Sequence, residues 1–262
     1  MTRQPTFFIP HGGGPCFFMP DPQDNWASMA AFLQGLPARL PEAPKAILVV
    51  SGHWETEGFA FTGAEQPPLL FDYYGFPQHT YELRFDAPGS PALAARASQL
   101  LREAGFAAAP DPQRGYDHGV FVPLKVAWPE ADVPVVEMSL DRSLDPALHL
   151  AAGRALAPLR DEGVLILGSG MSFHNMRGYG NPASTEPSQA FDQWLTQAAG
   201  SGAENRAEAL SHWAEAPGGR FSHPREEHLL PLMVAAGAAE GAGEKVYSDL
   251  VLKTAISAFR FD

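Results

Sequence analysis

A chain of 262 residues that is 45% hydrophobic, 11% aromatic and 18% charged carries too many core-forming side chains to be disordered. Its length suits one large domain better than two. A formal charge of −12 argues against a nucleic-acid or anionic-membrane partner, and no apolar run approaches the ~20 residues of a membrane span. The lone Cys16 excludes an internal disulfide and a thiolate zinc site. With no apolar leader in view, a cytoplasmic monomer or small homo-oligomer is expected.

In chain order, residues 6–10 (TFFIP) and 45–51 (KAILVVS) read as buried strands, being short, β-branched or aromatic, and closed by Pro, His or Ser. Residues 57–88 read as a long loop. A helix over 90–104 opens with Ser90 as cap and Pro91 at the first turn. Another is expected at 120–128, just after His118. Residues 133–140 (VPVVEMSL) form a third strand, 146–160 a helix weakened by Gly153 and Pro158, and 164–169 (VLILGS) a fourth strand. After a loop at 178–187 come a helix at 187–199 and one running from Pro224 to about Ala239. Residues 247–262 add a strand or two. This alternation predicts a single three-layer α/β/α domain over residues 1–262, with a central, mostly parallel (mixed) sheet.

Nine histidines stand out. Ligands of open α/β sheets gather beyond the carboxyl ends of strands. His11 directly follows the first strand, His53 lies two residues past the second, and His174 follows the fourth after a short turn. Distant parts of the chain thus bring imidazoles to one sheet edge. His228, expected one turn into the Pro224 helix, and His118 are not placed by that rule. Imidazoles without thiols suit Fe, Zn, Cu or Ni. His223 and His228 are five residues apart, so neither H-E-x-x-H nor its inverse is present, and a metal site would be assembled from separate loops. His79, His149 and His212 are expected to be bystanders.

An alternative is a metal-independent serine-type hydrolase, because His11-Gly12-Gly13-Gly14 is similar to the oxyanion-hole segment of lipases. No serine, however, has glycine at both −2 and +2. Ser169 and Ser172 both miss, and Cys16 is followed by two phenylalanines.

Taken together, the segments Pro10–His11–Gly12–Gly13–Gly14–Pro15, VSGHW at 50–54, FP at 76–77, APGSPALA at 87–94, YDHG at 116–119, GSGMSFHN at 168–175 and HPREEHLLPL at 223–232 form one pattern. It resembles the class III extradiol ring-cleavage dioxygenases of the LigB superfamily, in their 4,5-DOPA dioxygenase-like branch, over nearly the whole chain. The resemblance implies opening of a catechol, DOPA-like or related, next to its diol, with both atoms of O₂ entering the product. It implies Fe(II) on His11, His53 and His228, with His174 beside it as base or fourth ligand. Zn(II) would also suit three imidazoles. His118 is the second candidate for proton transfer, and Asp117 is the residue to orient it. His223 is a candidate support behind the site. Aromatic candidates to wall the substrate are Phe17, Phe18, Trp54, Tyr73, Tyr74 and Tyr116. Arg177 and Arg225 are candidates to meet a carboxylate tail.

Overall fold

The structure, a computed structural model, describes residues 2–262. Strand β1 (Thr6–Pro10) is buried along its whole length. Helix α1 (Ala27–Gln34) leads to the long strand β2 (Ala46–Thr56) and the short β3 (Phe59–Thr62). Helix α2 (Pro91–Glu103) begins as the sequence predicts, the Ser90 hydroxyl accepting from the Leu93 amide at 3.2 Å. Next come β4 (Ala108–Asp111), α3 (His118–Ala127) and β5 (Val135–Asp141). They are followed by α4 (Pro146–Leu156), α5 (Pro158–Asp161) and β6 (Val164–Gly170). The chain ends with α6 (Thr185–Ala199), α7 (Ala203–Ser211), α8 (Gly219–Ser222), α9 (Leu230–Gly237) and the hairpin β7 (Gly243–Val251) and β8 (Thr254–Phe261).

The strands form one α/β sheet in the order β4-β3-β5-β2-β6-β1-β8-β7. Its centre, β5-β2-β6-β1, is parallel, while β3 and the C-terminal hairpin pair antiparallel at its flanks. Central parallel strands are covered on both faces, which is why they read as continuous apolar runs. In β2, Leu48 and Val50 enter one core with α2, α4, α6 and α9, while Ile47 and Val49 enter another with α1 and α3. Truncating one of these side chains to alanine should cost about 2–5 kcal/mol. No helix among the described residues is long and apolar enough to cross a membrane.

Several local expectations change. The helix expected from Pro224 starts only at Leu230, and His228 sits in the turn before it. The reason is tertiary: the His228 carbonyl accepts from the Met171 amide at 3.0 Å, just past β6, so it is committed to the sheet edge rather than to a helical ladder. Strand β2 runs on to Thr56 through a register shift between Val50 and Glu55, so His53 lies in a bulged strand rather than beyond one. His118 is the first residue of α3 instead of preceding it, with Asp117 as its cap. Pro158, lacking an N–H, splits the 146–160 helix into α4 and α5. The loop at 57–88 contains β3, and the edge strand β4 is also absent from the sequence reading; both are four residues long.

Candidate metal centre and active site

Three side chains converge at the carboxyl edge of β1, β2 and β6. The His11 amide continues the ladder by donating to the Gly170 carbonyl at 3.2 Å, and the ring is buried. Its Nδ1–H donates to the Gly12 carbonyl at 2.8 Å, which leaves Nε2 as a lone pair. Gly12 has φ +81°, and a Cβ there would stand 2.4 Å from Cys16 Sγ, so only glycine allows this turn. His228 is set the same way, with Nδ1–H donating to Glu227 Oε1 at 2.9 Å. Its Nε2 faces His53 Nε2 at 2.9 Å.

Candidate ligand nitrogens of His11, His53 and His228 all lie within 4.8 Å of one another. The buried Nε2 of His11 has no hydrogen-bond partner. An orphaned lone pair beside two facing imidazole nitrogens is the donor set of a small divalent cation with metal–nitrogen bonds of about 2.0–2.1 Å. The residues therefore fit the metal implied by the sequence. Other close sets, His53 with Asp72 and His118, and His174 with Glu227 and His228, include pairs already joined by hydrogen bonds or ring stacking. The carboxylates stand behind the rings, and Glu226 is turned away to Arg220 at 2.7 Å.

Two more histidines flank the centre. The His118 ring stacks on His53 at 3.9 Å between centroids, and the His174 ring lies on His228 at 3.3 Å. Asp72 orients His118, its Oδ1 accepting from the ring Nδ1 at 2.7 Å and from the backbone amide at 2.9 Å. The sequence points to Asp117 for that role. Asp117 instead caps α3, accepting from Gly119 N at 3.0 Å and from the Ser51 hydroxyl at 2.8 Å, and faces His53 Nδ1 at 3.6 Å. The latter is an electrostatic rather than a hydrogen-bonding distance. His174 Nδ1 lies 3.4 Å from Glu227 Oε1.

Burial, and then the neighbouring imidazoles, push the His11 pKa well down. Burial also lowers His228, outweighing Glu227. For His53 burial is the largest single effect and pulls downward, but Asp117, Asp72 and Glu227 together raise its pKa. Beneath them lies a buried pair that sequence reasoning missed. Arg114 bridges Asp117 at 2.8 Å and Glu137 at 3.1 Å. Burial and the Asp117 charge raise Glu137, so Glu137 keeps its proton and Asp117 carries the charge.

Above the five histidines opens a cavity of about 640 Å³. Of the aromatic candidates, Tyr73 and Tyr74 line it. Tyr116 is fully buried beneath, its hydroxyl donating to the Val135 carbonyl at 2.7 Å. Trp54 lies under the Arg114 guanidinium at 4.8 Å, and Phe17 packs edge-on against Trp26. Neither lines the cavity, nor do Phe18 and Arg177. Arg225 is held by Glu55 at 2.6 and 2.7 Å. Phe76, which the sequence marks only as part of the Phe76-Pro77 segment, also lines it, as do Trp26, Met176, Tyr179 and Leu252, which carry no sequence signal. His223 is buried away from the cavity, its Nε2–H donating to the Ser172 carbonyl at 3.0 Å. His79, His149 and His212 are likewise outside it.

The hydrolase alternative has no support here. Among the described residues no serine lines the cavity; Ser169 is buried and donates to the Gly119 carbonyl. Burial pushes the Cys16 thiol up to about 12.

Residues 5–259 match the family described as the catalytic LigB subunit of aromatic ring-opening dioxygenase. The chain belongs to the LigB family. Among LigB relatives, the 4,5-DOPA dioxygenase extradiol of Beta vulgaris is 39% identical over 251 residues, 94% of this chain and 90% of that one. The protein of the same name from Escherichia coli (strain K12) is 37% identical, covering 92% and 87%. Dioxygenase tasH of Hapsidospora irregularis is 38% identical, covering 91% and 79%. The crystal structure of the uncharacterized protein JW3007 from Escherichia coli K12 has the same fold, with a TM-score of 0.81 at 30% identity over 99% of this chain and 100% of that one. As a LigB protein the chain is an extradiol ring-cleavage dioxygenase, an oxidoreductase.

Proposed function

We propose that this protein is an Fe(II)-dependent dioxygenase that opens a catechol next to its diol. The observation that carries the reading is the convergence of His11, His53 and His228 nitrogens on the floor of a cavity with aromatic walls. Those three residues would hold the ion. When bound, ferrous iron supplies Lewis acidity toward the diol and an electron path to O₂. The carbon–carbon bond beside the diol breaks, and each of its two carbons gains one oxygen atom. O₂ is the oxidant and the catechol the reductant, so no external reductant is needed.

The chain's own residues manage position and protons. With Nδ1 facing Glu227 at 3.4 Å, His174 has Nε2 free to accept a proton from the diol and return it to a departing oxygen. His118, with Nδ1–H tied to Asp72, keeps Nε2 as a second acceptor. Stacking on His53 and His228 holds the His118 and His174 rings beside the three proposed ligands. Tyr73, Phe76 and Tyr179 line the cavity above the histidines and would give an aromatic substrate ring apolar contact.

The test is anaerobic reconstitution with Fe(II), followed by O₂ and a panel of catechols. The expected result is a yellow ring-opened product with one O₂ consumed per catechol. The Zn(II)-loaded protein should be inactive, because zinc has no redox chemistry. Failure to turn over any catechol, or equal activity with zinc, refutes the reading.

A further inference from the structure

We propose that the ring this enzyme opens bears a neutral, apolar substituent, and that the cavity discriminates against catechols with a carboxylate tail. The inference rests on the dioxygenase reading and deepens it. Three observations carry it.

The first is the chemistry of the walls. Above the histidine floor they are built from Trp26, Phe76, Tyr179, Leu252 and Met176, and among the described residues no lysine or arginine lines the cavity. The arginines nearest in sequence are engaged or outside: Arg225 is paired with Glu55, Arg114 with Asp117 and Glu137, and Arg177 is exposed outside the cavity. The charged groups that touch the floor histidines are carboxylates, Asp72 on His118 and Glu227 on His228. A carboxylate tail among these walls would lose water and find no side-chain cation to replace it. At about 640 Å³ the cavity is of the size that holds drug-sized ligands, with room beyond the catechol ring itself.

The second is backbone strain spent on an aliphatic wall. Leu252 and Lys253 form the two-residue turn between β7 and β8 with φ of +46° and +70°. Such turns favour Asn and Gly, and a branched residue at the first position is unfavourable. Leu252 nevertheless stands there and lines the cavity.

The third is the rim. Tyr74 is 91% and Met176 70% exposed, and both border the mouth. Large apolar side chains left in water beside an apolar cavity mark a surface that an apolar ligand covers.

The experiment compares 4-methyl-, 4-ethyl- and 4-propylcatechol with dihydroxyphenylpropionate and DOPA on the Fe(II) enzyme. The alkyl series should gain about two- to fourfold in kcat/KM per methylene. The carboxylates should fall at least about tenfold below the alkylcatechol of matching length. Anaerobic calorimetry of the same compounds on the Zn(II)-loaded protein should give the same order in affinity. If no catechol turns over but this binding order holds, the dioxygenase reading fails and the ligand class stands. Equal or better binding of the carboxylates overturns the proposal whatever the turnover. Leu252→Asn, which relaxes the turn, should keep or raise the Tm and shrink the gain per methylene; an unchanged alkyl series would remove the wall argument and the proposal with it.

Discussion

Gly119 offers a sharp test of the proposed metal centre, because it packs against a proposed ligand without being one. It is the second residue of α3, where alanine is the better helix former. A Cβ there would lie 2.7 Å from His53 Nδ1, 2.8 Å from Ser51 Oγ and 3.1 Å from Asp117 Oδ1. Ordinary contact begins at 3.4 Å, so the His53 ring must retreat by about 0.7 Å. It has little room to do so, with the His118 ring 3.9 Å away and His228 Nε2 at 2.9 Å. Metal–ligand distances tolerate only about 0.2 Å. Gly119→Ala is therefore expected to weaken metal binding by about 10–100-fold, the loss typical when the groups that orient a ligand are disturbed. Stability moves less. A helix gain of up to about 1 kcal/mol offsets part of an overpacking cost of about 1–3 kcal/mol. Chelator competition with Zn(II), run beside thermal unfolding of the metal-free protein, separates the two. Wild-type affinity in a normally folded variant would refute the claim that His53 is held in place as a ligand.

Replacing His174 with Gln and His118 with Asn, one at a time, should leave the metal bound and lower kcat by about 10²–10⁴-fold; metal loss from His174→Gln would make it a ligand instead of a base. His223 is neutral, its pKa pushed down by burial to about 3 from 6.5. Between those values the unfolded chain binds a proton that the folded chain refuses, so stability falls as pH drops from 6.5 toward 3, by up to about 1.4 kcal/mol per pH unit. Urea unfolding at several pH values should show a shallower slope in His223→Gln, and an identical slope would refute the assignment. Arg206 donates to the carbonyls of Ala236, Ala239 and Gly241 at the end of α9. Arg206→Met should lose about 2–5 kcal/mol by leaving buried carbonyls unpaired, with metal affinity unchanged because no site residue touches it.

Legibility in the sequence followed burial. The central strands could be read because both of their faces are covered, which forces continuous apolar runs such as Ile47 to Val50. The four-residue β3 and β4 lie toward one edge, and a run that short has no periodicity to detect. Strand ends located His11 and His174 near one another, and His228 reached the same place from a turn that the sequence presents as helix. Tyr116 shows the limit of adjacency. It is two residues from His118, yet the chain turns into α3 between them, sending one ring to the core and the other to the cavity. Asp72 was invisible because its role depends on where a loop crosses a helix start, a long-range contact that no local pattern encodes.

The placement of charge joins these observations. Three imidazoles at the cavity floor have a hydrogen-bond acceptor behind them, the Gly12 carbonyl for His11, Glu227 for His228 and Asp72 for His118, while Glu227 and Asp117 face His174 and His53 at 3.4 and 3.6 Å. The carboxylates stand behind the rings they orient, on the side away from the cavity. Keeping Asp117 charged at full burial needs Arg114, and Glu137 beside them remains protonated, so that cluster adds no second anion. A carboxylate ligand in place of any of the three histidines would have put a charge on the cavity side. With the anions held at the back, the walls above the floor can be apolar, and the same arrangement that positions the candidate ligands leaves a carboxylate-bearing substrate without a partner.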